Sequence, residues 1–348
     1  MKNYKDTSRQ KTPWDELDSL TTTQEFIKNK YKENYEAKHP SLLSTNECII
    51  FNDIKIKDCP YCYSINFVKA GKSQNKIQRY FCHNCKRFFS PVTGTIFENH
   101  KISISEWIEF CLDILNYGSL TLISKVNKNA INTSIIWLHK LFLILEEYQN
   151  NIVLTGKVYI DETFYSVIYR ERVKKNGKFL RGLSENQFCI GIGYDKQHVI
   201  AIVEGMGKTS SKKTIEAFST HIQSNSTLIH DDEKSHHELV KALSLKDISY
   251  KSNYLKKLND SDNPLDPINN QCDLLKKFLY SHSGFNRDYL QDYLNFFSFM
   301  NSKPFNKLEK VEILLNLALT TRVTLKYRDF FKPKEKDESN EDSSALCK

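Results

Sequence analysis

Hydrophobic and polar positions follow two different periods along the chain, and these divide it into helical and strand-rich parts. Residues 103–148 have the helical period, from SISEWIEFCLDIL through INTSIIWLHKLFLILEEY. From residue 157, four apolar runs rich in β-branched and aromatic residues are separated by polar turns, and each run predicts a strand. The four runs are KVYIDETFYSVIY, QFCIGIGYD, HVIAIVEGMG and STLIHDD.

Helical periodicity returns between and after these strands. SKKTIEAFSTHI and SHHELVKALS predict helices within the strand-rich part. Three more helices are predicted behind it at PINNQCDLLKKFLYS, NRDYLQDYLNFFSFM and KLEKVEILLNLALTTR. Strands and helices mixed in this way indicate an α/β domain, which we place at residues 155–331.

The two ends of the sequence are polar. Residues 1–54 are rich in lysine and include one predicted helix near TTTQEFIKNKYKENYEA, which indicates a small helical arm. Residues 332–348 have no apolar face, so we expect a disordered tail. Neither a signal peptide nor an apolar run of about 18 residues is apparent, so we expect a protein of a reducing, prokaryotic-type cytoplasm.

Charge is unevenly distributed along the chain. The formal net charge is +8, from 50 Lys and Arg against 42 Asp and Glu, which permits a polyanionic partner. Residues 51–100 alone contain eight basic and three acidic residues. A local basic block of this kind is a more specific indication of nucleic acid than the total charge.

Four cysteines form two C-x-x-C pairs, Cys59-Pro-Tyr-Cys62 and Cys82-His-Asn-Cys85, with 19 residues between them. The alternatives are unrelated buried cysteines or a redox pair, but the double spacing favours tetrahedral zinc. Because four thiolates close the site, we expect a structural zinc within a ribbon at residues 55–100. The ribbon's basic residues, available to phosphates, are Lys69, Lys72, Lys76, Arg79, Lys86 and Arg87. The remaining cysteines are interpreted as structural or surface thiols: Cys48, Cys111, Cys189, Cys272 and Cys347.

A helix-turn-helix-like arrangement is predicted within residues 101–150. Leu120 to Val126 gives a short first helix, NKNA a polar turn, and Ile131 to Phe142 a second helix. Two ordinary packed helices are the alternative. Polar residues of the second helix that we expect to face DNA are Asn132, Thr133, Ser134, His139 and Lys140.

Carboxylates follow two of the predicted strands. Asp161 and Glu162 come at the end of VYI, and Asp231 and Asp232 directly follow LIH. Solvated turn charges are the alternative, but carboxylates that converge at one end of a sheet favour Mg²⁺ or Mn²⁺. Two such ions about 4 Å apart are the usual device for phosphoryl transfer on nucleic acid.

Residues 55 to 331 resemble the insertion-sequence transposases that have a DDE-type catalytic domain. The branch concerned has an N-terminal zinc ribbon and a ribonuclease-H-like core. FFSPVTGTIFENHKISISEW, YIDETF and HDDEKSH are similar, in order, to that branch's post-ribbon stretch, first catalytic strand and second acidic motif. PINNQCDLLKKFLYSHSGFNRDYLQDYLNFF resembles its terminal helical motif, in which Asn often replaces the third acid.

The resemblance implies a role for particular residues. Asp161 would be the first metal ligand and Asp231, which directly follows the strand, the second. Asn269 would be the third ligand, and Lys276, seven residues further along the same helix face, would position DNA.

Two points about the third ligand stay open. Asn270 with Lys277 satisfies the same seven-residue spacing as Asn269 with Lys276. An Asn side-chain carbonyl can ligate Mg²⁺ but adds no charge, so a decayed, inactive copy is an alternative. His236 and His237 could be zinc ligands in isolation, but such residues are more often on a helix surface, and we assign them no catalytic role.

The function implied by the resemblance is DNA transposition. The ribbon and helical segment would bind the terminal inverted repeats of double-stranded DNA. A Mg²⁺-dependent polynucleotidyl transferase site would then free a 3′-OH and use it to attack target DNA. Joining two ends implies at least a homodimer on DNA, in a nucleoid-associated protein. The alternatives are a metal-dependent nuclease of the same fold and a non-catalytic DNA-binding regulator.

Overall fold

The computed structural model describes residues 19–259 and 262–331. The predicted arm is therefore described from residue 19 only, and the predicted tail at 332–348, with Cys347, lies outside the described residues. The described arm contains helix α1 (Thr22–Lys38). It begins at a capping box, in which the Thr21 side chain accepts from the Gln24 amide and the Gln24 side chain accepts from the Thr21 amide.

A short helix and a small sheet follow. Helix α2 (Cys48–Asp53) precedes strands β1 (Phe67–Lys72), β2 (Gln78–Cys82) and β3 (Phe88–Phe89). The three strands form an antiparallel sheet in chain order. Its small core consists of Cys59, Cys82 and Phe89, so the cysteine cluster itself is part of what holds this sheet together.

Three helices lead from the ribbon to the α/β part. They are α3 (Ile104–Ile114), α4 (Leu120–Val126) and α5 (Ile131–Leu145), and they agree with the predicted segments. The side chains of Ser103 and Ser119 cap the first two by accepting a hydrogen bond from the amide three residues later. Helix α5 is buried along most of its length, since it packs against α4 and the helices that follow the sheet.

The main sheet is mixed. Its larger strands are β4 (Lys157–Ser166), β7 (Gln187–Tyr194), β8 (Val199–Met206), β9 (Thr227–Asp231) and β10 (Lys246–Tyr250). The order is β10-β9-β4-β7-β8; β4, β7 and β8 are antiparallel neighbours, whereas β9 and β10 run parallel to β4. A hairpin of β5 (Lys174–Lys175) and β6 (Lys178–Phe179) projects between β4 and β7. The predicted α/β fold is confirmed, while β10 and the hairpin were not expected.

Helices cover both faces of this sheet. The remaining helices are α6 (Ser211–Phe218), α7 (Lys234–Leu243), α8 (Ser252–Leu255), α9 (Asp266–Ser281), α10 (Leu290–Asn301), α11 (Lys307–Thr320) and α12 (Tyr327–Phe330). Tyr159 and Ile229 belong to a large core shared with α5, α9 and α10. Val158, Ile160 and Leu228 belong to a second core shared with α6 and α7.

Neighbouring residues of β4 and β9 therefore face opposite layers, as the pleat of a strand requires. No helix within residues 19–259 and 262–331 is long and apolar enough to cross a membrane.

Candidate functional site

Asp161 and Asp231 lie on neighbouring strands of the sheet. Strands β4 and β9 pair in parallel with Val158 opposite Leu228 and Tyr159 opposite Ile229. Asp161 follows Tyr159 by two residues in the middle of β4, and Asp231 follows Ile229 by two residues at the end of β9. The charge of Asp231 raises the pKa of Asp161, so the two carboxylates are near each other just beyond the parallel pairing.

Helix α9 completes a cavity at this edge. The cavity has a volume of about 500 Å³. It is lined by Asp161, Glu162, Asn263, Asp266, Asn269, Asn270, Cys272, Asp273 and Lys276. The predicted residues Asp161, Asn269 and Lys276 thus share one cavity, whereas Asp231 lies beside it at the end of β9 and is not among its lining residues.

One face of α9 is turned towards Asp161. The Sγ atom of Cys272 lies 3.9 Å from Asp161 Oδ2. Asn269 is three residues before Cys272 and Lys276 is four residues after it, so all three share one helix face. Asn270 is more exposed, and its amide donates a hydrogen bond of 2.9 Å to Asp266 Oδ2. Cys272, interpreted from the sequence as a structural thiol, is therefore part of the cavity wall.

The carboxyl group of Asp161 is difficult to ionise in the absence of a cation. Burial raises its pKa to about 6, and the nearby carboxylates of Glu162 and Asp231 contribute in the same direction. The backbone amide of Glu162, which donates to Asp161 Oδ1 at 2.8 Å, partly opposes this. A group whose charge is disfavoured by burial and by like charges is one that a bound cation would stabilise.

His236 was expected on the helix surface, but this interpretation is wrong. Its ring is fully buried between two carboxylates, with Nε2 3.0 Å from Glu162 Oε1 and Nδ1 3.2 Å from Asp231 Oδ1. Burial lowers the pKa of His236, but hydrogen bonds to Asp231 and Glu162 outweigh this and raise it to about 10. The ring is therefore an imidazolium that connects β4, β9 and α7.

The ion pair with His236 lowers the pKa of Asp231. Burial raises its pKa, yet the hydrogen bond and charge of His236 outweigh burial, so the pKa lies below its usual value. The pKa of Asp231 is thus lowered while that of Asp161 is raised, although the two carboxylates are neighbours. The burial of His236 has a signal in the sequence, because His236 has the helical spacing of Leu239, Val240 and Leu243 on α7.

A further buried acid, Glu204 on β8, lies behind Glu162. Its Oε2 atom accepts hydrogen bonds from Thr209 and Thr214, and burial together with the charge of Glu162 raises its pKa. Among the described residues its Oε1 atom has no hydrogen-bond partner. A Cβ atom at Gly191 would lie 2.4 Å from that oxygen, so the carboxylate occupies space that only glycine leaves free.

The four ribbon cysteines converge as their spacing predicts. The Sγ atoms of Cys59 and Cys85 are 3.6 Å apart, and so are those of Cys62 and Cys82. Tetrahedral zinc with Zn–S bonds of about 2.3 Å requires sulfur–sulfur distances of about 3.8 Å. All four sulfurs lie within 4.8 Å of one another, so this cluster could hold a metal ion of that kind.

The two cysteine turns have the same backbone geometry. The residue after each pair, Tyr63 or Lys86, has a positive φ of 57° or 59°, and its amide donates to the carbonyl of the pair's first cysteine. In the second turn, the amides of Cys85 and Asn84 donate to Cys82 and lower its thiol pKa to about 7. These amides favour the thiolate form that metal binding needs.

The ribbon surface is basic and aromatic. All six basic residues predicted to meet phosphates are exposed. The Arg79 guanidinium lies 4.8 Å from the ring centre of Phe88, and Arg87 lies 5.1 Å from that of Tyr61. Exposed cations interleaved with exposed rings are typical of surfaces that bind nucleic acid.

The expectation that His139 and Lys140 of α5 face DNA is wrong. His139 packs against Tyr289 and Phe330, and Lys140 Nζ donates to the carbonyl of Ile96. Burial lowers the pKa of His139 to about 4 and that of Lys140 to about 8. Ser134 is buried as well. Asn132 is exposed and donates to the Tyr327 hydroxyl, and Thr133 is partly exposed. Ser134, His139 and Lys140 thus take part in packing within the protein rather than facing DNA.

The β5–β6 hairpin adds a second basic surface that sequence reasoning missed. Its turn is Asn176-Gly177, both with positive φ, which is the strongest short-range hairpin signal in a sequence. Asn186 anchors its base by accepting from the Val173 amide and donating to the Val173 carbonyl. The basic residues of this segment are Arg170, Arg172, Lys174, Lys175, Lys178 and Arg181.

Similarity to known proteins is limited in extent. No family model matches the chain. Over 49 residues, 14% of this chain, it is 37% identical to an uncharacterized protein in transposable element ISH50 of Halobacterium salinarum. The matched part spans 16% of that relative's length.

Three solved assemblies have weak structural similarity. The pre-cleavage Mos1 transpososome has a TM-score of 0.24 and 11% identity, over 62% of this chain and 78% of that one. The Mos1 transposase paired-end complex with the left transposon end has a TM-score of 0.23 and 12% identity, over 60% of this chain and 77% of that one. The simian T-cell lymphotropic virus intasome in complex with PP2A regulatory subunit B56 gamma has a TM-score of 0.27 and 12% identity, over 53% of this chain and 64% of that one. TM-scores this low do not establish a shared fold.

Proposed function

We propose that this chain is a DNA transposase of an insertion sequence, which binds the element's terminal inverted repeats and performs metal-dependent strand cleavage and strand transfer. The observation that carries the proposal is the placement of Asp161 and Asp231 close together on the neighbouring strands β4 and β9, with Asp161 in the cavity beside α9. The short sequence match to a protein of a transposable element agrees with it.

The sheet supports a ribonuclease-H-like core. Three antiparallel strands are extended on one side by two parallel strands, with helices on both faces. Asp231 is at the carboxyl end of β9, and Asp161 lies on the adjacent β4 just beyond the part that pairs with β9 in parallel. Open α/β sheets bind their ligands beside the carboxyl ends of parallel strands.

The proposed ligands of the catalytic cation pair are Asp161, Asp231 and the side-chain oxygen of Asn269. Oxygen donors with two negative charges suit Mg²⁺ or Mn²⁺. Asn269 is preferred to Asn270 because it shares the helix face of Cys272, whose sulfur contacts Asp161, whereas Asn270 bonds to Asp266. The cations would supply Lewis-acid stabilisation of the attacking and leaving oxygens.

The chain's own residues prepare this site. His236 holds Asp231 and Glu162 from behind the sheet, so the two ligand-bearing strands cannot separate without breaking a buried ion pair. Lys276 enters the same cavity as Asp161 and would bind a phosphate oxygen near the reacting bond. The role of Lys276 is to orient DNA, since an ammonium group has no acceptor for a proton.

DNA binding is assigned to two surfaces. The ribbon would hold structural zinc and present its basic and aromatic residues to the element ends, and the β5–β6 hairpin would contact DNA phosphates through its basic residues. Joining two ends requires two active sites or two DNA ends in one assembly, so we expect at least a homodimer on DNA.

A joining assay tests the proposal. The full chain is incubated with Mg²⁺, DNA that carries the native flanks of the coding sequence, and a supercoiled target plasmid. We expect cut and joined products from the wild-type chain. In Asp161→Asn, both should fall by about 10³-fold or more while DNA affinity is unchanged. Asp288→Asn, which alters an exposed carboxylate outside the cavity, is the matched control.

Each other outcome identifies a different class of protein. Cleavage without joining indicates a nuclease of the same fold. Binding without any cleavage indicates a non-catalytic regulator. Normal cleavage by Asp161→Asn would show that the active site lies elsewhere.

A further inference from the structure

A second cluster of potential ligands lies on the outer side of Asp231. It consists of His230, which is fully buried on β9, His237 on α7 and Asp247 on the edge strand β10. One ligand atom from each lies within 4.8 Å of the other two. This cluster contains none of the residues proposed as catalytic ligands.

The two oxygens of Asp247 each face one imidazole nitrogen. His230 Nε2 lies 3.1 Å from Asp247 Oδ1, and His237 Nδ1 lies 3.0 Å from Asp247 Oδ2. The donor–donor edges of a tetrahedral zinc site with bonds of about 2.0–2.1 Å are about 3.3 Å long. The separations in this cluster are close to that value.

The other nitrogen of each ring is already engaged by an acceptor. His230 Nδ1 contacts the backbone carbonyl of Asp231, and His237 Nε2 lies 2.9 Å from Asp232 Oδ1. Carbonyl and carboxylate oxygens only accept, so a neutral ring can keep its hydrogen on this nitrogen. The nitrogen that faces Asp247 then has a lone pair available to bind a metal ion.

The two imidazole rings are close enough to share one ion, since the His230 ring centre is 5.1 Å from that of His237. A metal ion between them leaves the far nitrogen of each ring bonded to a protein oxygen, the usual outer arrangement around zinc-bound histidine.

We propose that His230, His237 and Asp247 bind one zinc ion, in addition to the ion held by the four cysteines. Two imidazole nitrogens and the carboxylate of Asp247, whose two oxygens each face one ring, form a donor set that suits zinc. The side chains of His237 and Asp247 are 32% and 37% exposed, so the metal has an entry path and water can complete its coordination.

The proposed zinc would position Asp231. It would tie β9 to β10 and α7 at the residue next to Asp231, whose backbone carbonyl already holds His230. The inference does not depend on transposase activity, because it concerns metal content and the geometry of one strand end.

Zinc content of the untagged full chain tests the inference. After dialysis against metal-free buffer, elemental analysis should find two zinc ions per wild-type chain and one in His237→Ala and in Asp247→Asn. His198→Ala is the matched control, since His198 is also a partly exposed histidine beside an aspartate, Asp195, but lies outside the cluster. It should retain two zinc ions.

A second measurement guards against loss of folding in the variants. When zinc is replaced by Co²⁺, the sulfur-to-metal charge-transfer bands of the four-cysteine site should persist in His237→Ala, and only the weaker bands of the nitrogen–oxygen site should disappear. One zinc ion per wild-type chain, or equal zinc content in wild type and His237→Ala, would overturn the proposal.

Discussion

Two of the proposed metal centres of this protein, the cysteine ribbon and the carboxylate edge, are built in opposite ways. The ribbon's four ligands come from 27 consecutive residues, are all of one type, and already lie at nearly the distances that zinc requires. The ligands of the carboxylate edge come from two strands and a helix that are far apart in sequence, and a buried histidine restrains one of them, Asp231, together with Glu162.

This difference separates a closed site from an open one. Four sulfurs leave no position for a substrate, so the ribbon can only stabilise structure and present its surface. The carboxylate edge borders a cavity of about 500 Å³, and its charge is incompletely neutralised by the protein. The second arrangement leaves room for cations and a phosphate.

The largest expected effect is on the ribbon. Cys82→Ser removes one of four zinc ligands, and we expect loss of the ribbon's fold with a fall in DNA affinity of about 100-fold or more. The α/β part should keep its cooperative unfolding transition. DNA binding and zinc content measure the effect, and Cys48→Ser, at a cysteine outside the cluster, is the control. Unchanged DNA affinity in Cys82→Ser would remove the ribbon from the binding surface.

The next effect is expected from loss of His236, the buried histidine that bonds to Glu162 and Asp231. His236→Ala leaves Glu162 buried without its cationic partner, and we expect the free energy of unfolding to fall by about 3 kcal/mol. His198→Ala, at a partly exposed ion pair, should cost less than about 0.5 kcal/mol. Urea unfolding in Mg²⁺-free buffer measures both.

The same pair has a defined pH dependence. The pKa of His236 is about 10 in the folded chain and about 6.5 when unfolded, so its stabilising contribution is complete below about pH 6.5 and is lost as the pH rises through 10. The free energies of unfolding of wild type and His236→Ala should therefore differ most near pH 6 and become equal at about pH 10.5. A constant difference across this range would mean that the ring is not an imidazolium.

A smaller effect is expected at the cavity entrance. Lys276→Ala should lower DNA cleavage about tenfold, which corresponds to about 1.4 kcal/mol of lost phosphate binding. Lys277→Ala, one residue away on α9 but outside the cavity lining, should stay within about twofold of wild type. Equal losses in the two variants would point to general charge rather than to a specific contact.

The smallest effect separates the two candidate third ligands. Asn269→Asp adds a negative charge beside Asp161 and should lower the Mg²⁺ concentration for half-maximal cleavage by about threefold to tenfold. Asn270→Asp, whose side chain is directed to Asp266, should change it by less than about twofold. The reverse result would move the third ligand to Asn270.

How far the sequence predicted the molecule depends on whether a feature is local. The cysteine turns, the four strands from KVYIDETFYS to TLIHD and the three helices after residue 266 follow from short-range patterns, and they were predicted. Strand β10 was missed because an edge strand with mostly exposed side chains has no apolar run to identify it.

The predictions that were wrong concern side chains whose burial depends on tertiary contacts. The sequence could not show that His139 and Lys140 would be covered by residues nearly 200 positions later or by a ribbon carbonyl. His236 was misjudged because a histidine beside another histidine in a polar segment is usually exposed; the partner that draws it inside is 74 residues away.

The opposite orientations of Asp161 and Glu162 make the candidate site sensitive to strand register. One carboxylate faces α9 and the cavity, and the other is clamped by His236 on the other face. A single residue inserted or deleted in the first half of β4 would exchange their faces. Glu162 would then take the place of Asp161 beside Cys272 of α9, and Asp161 would face His236 with a side chain one methylene shorter than that of Glu162. The number of residues that precede the acidic pair in β4 thus cannot change by even one, whereas loop lengths elsewhere in the sheet are not constrained in this way.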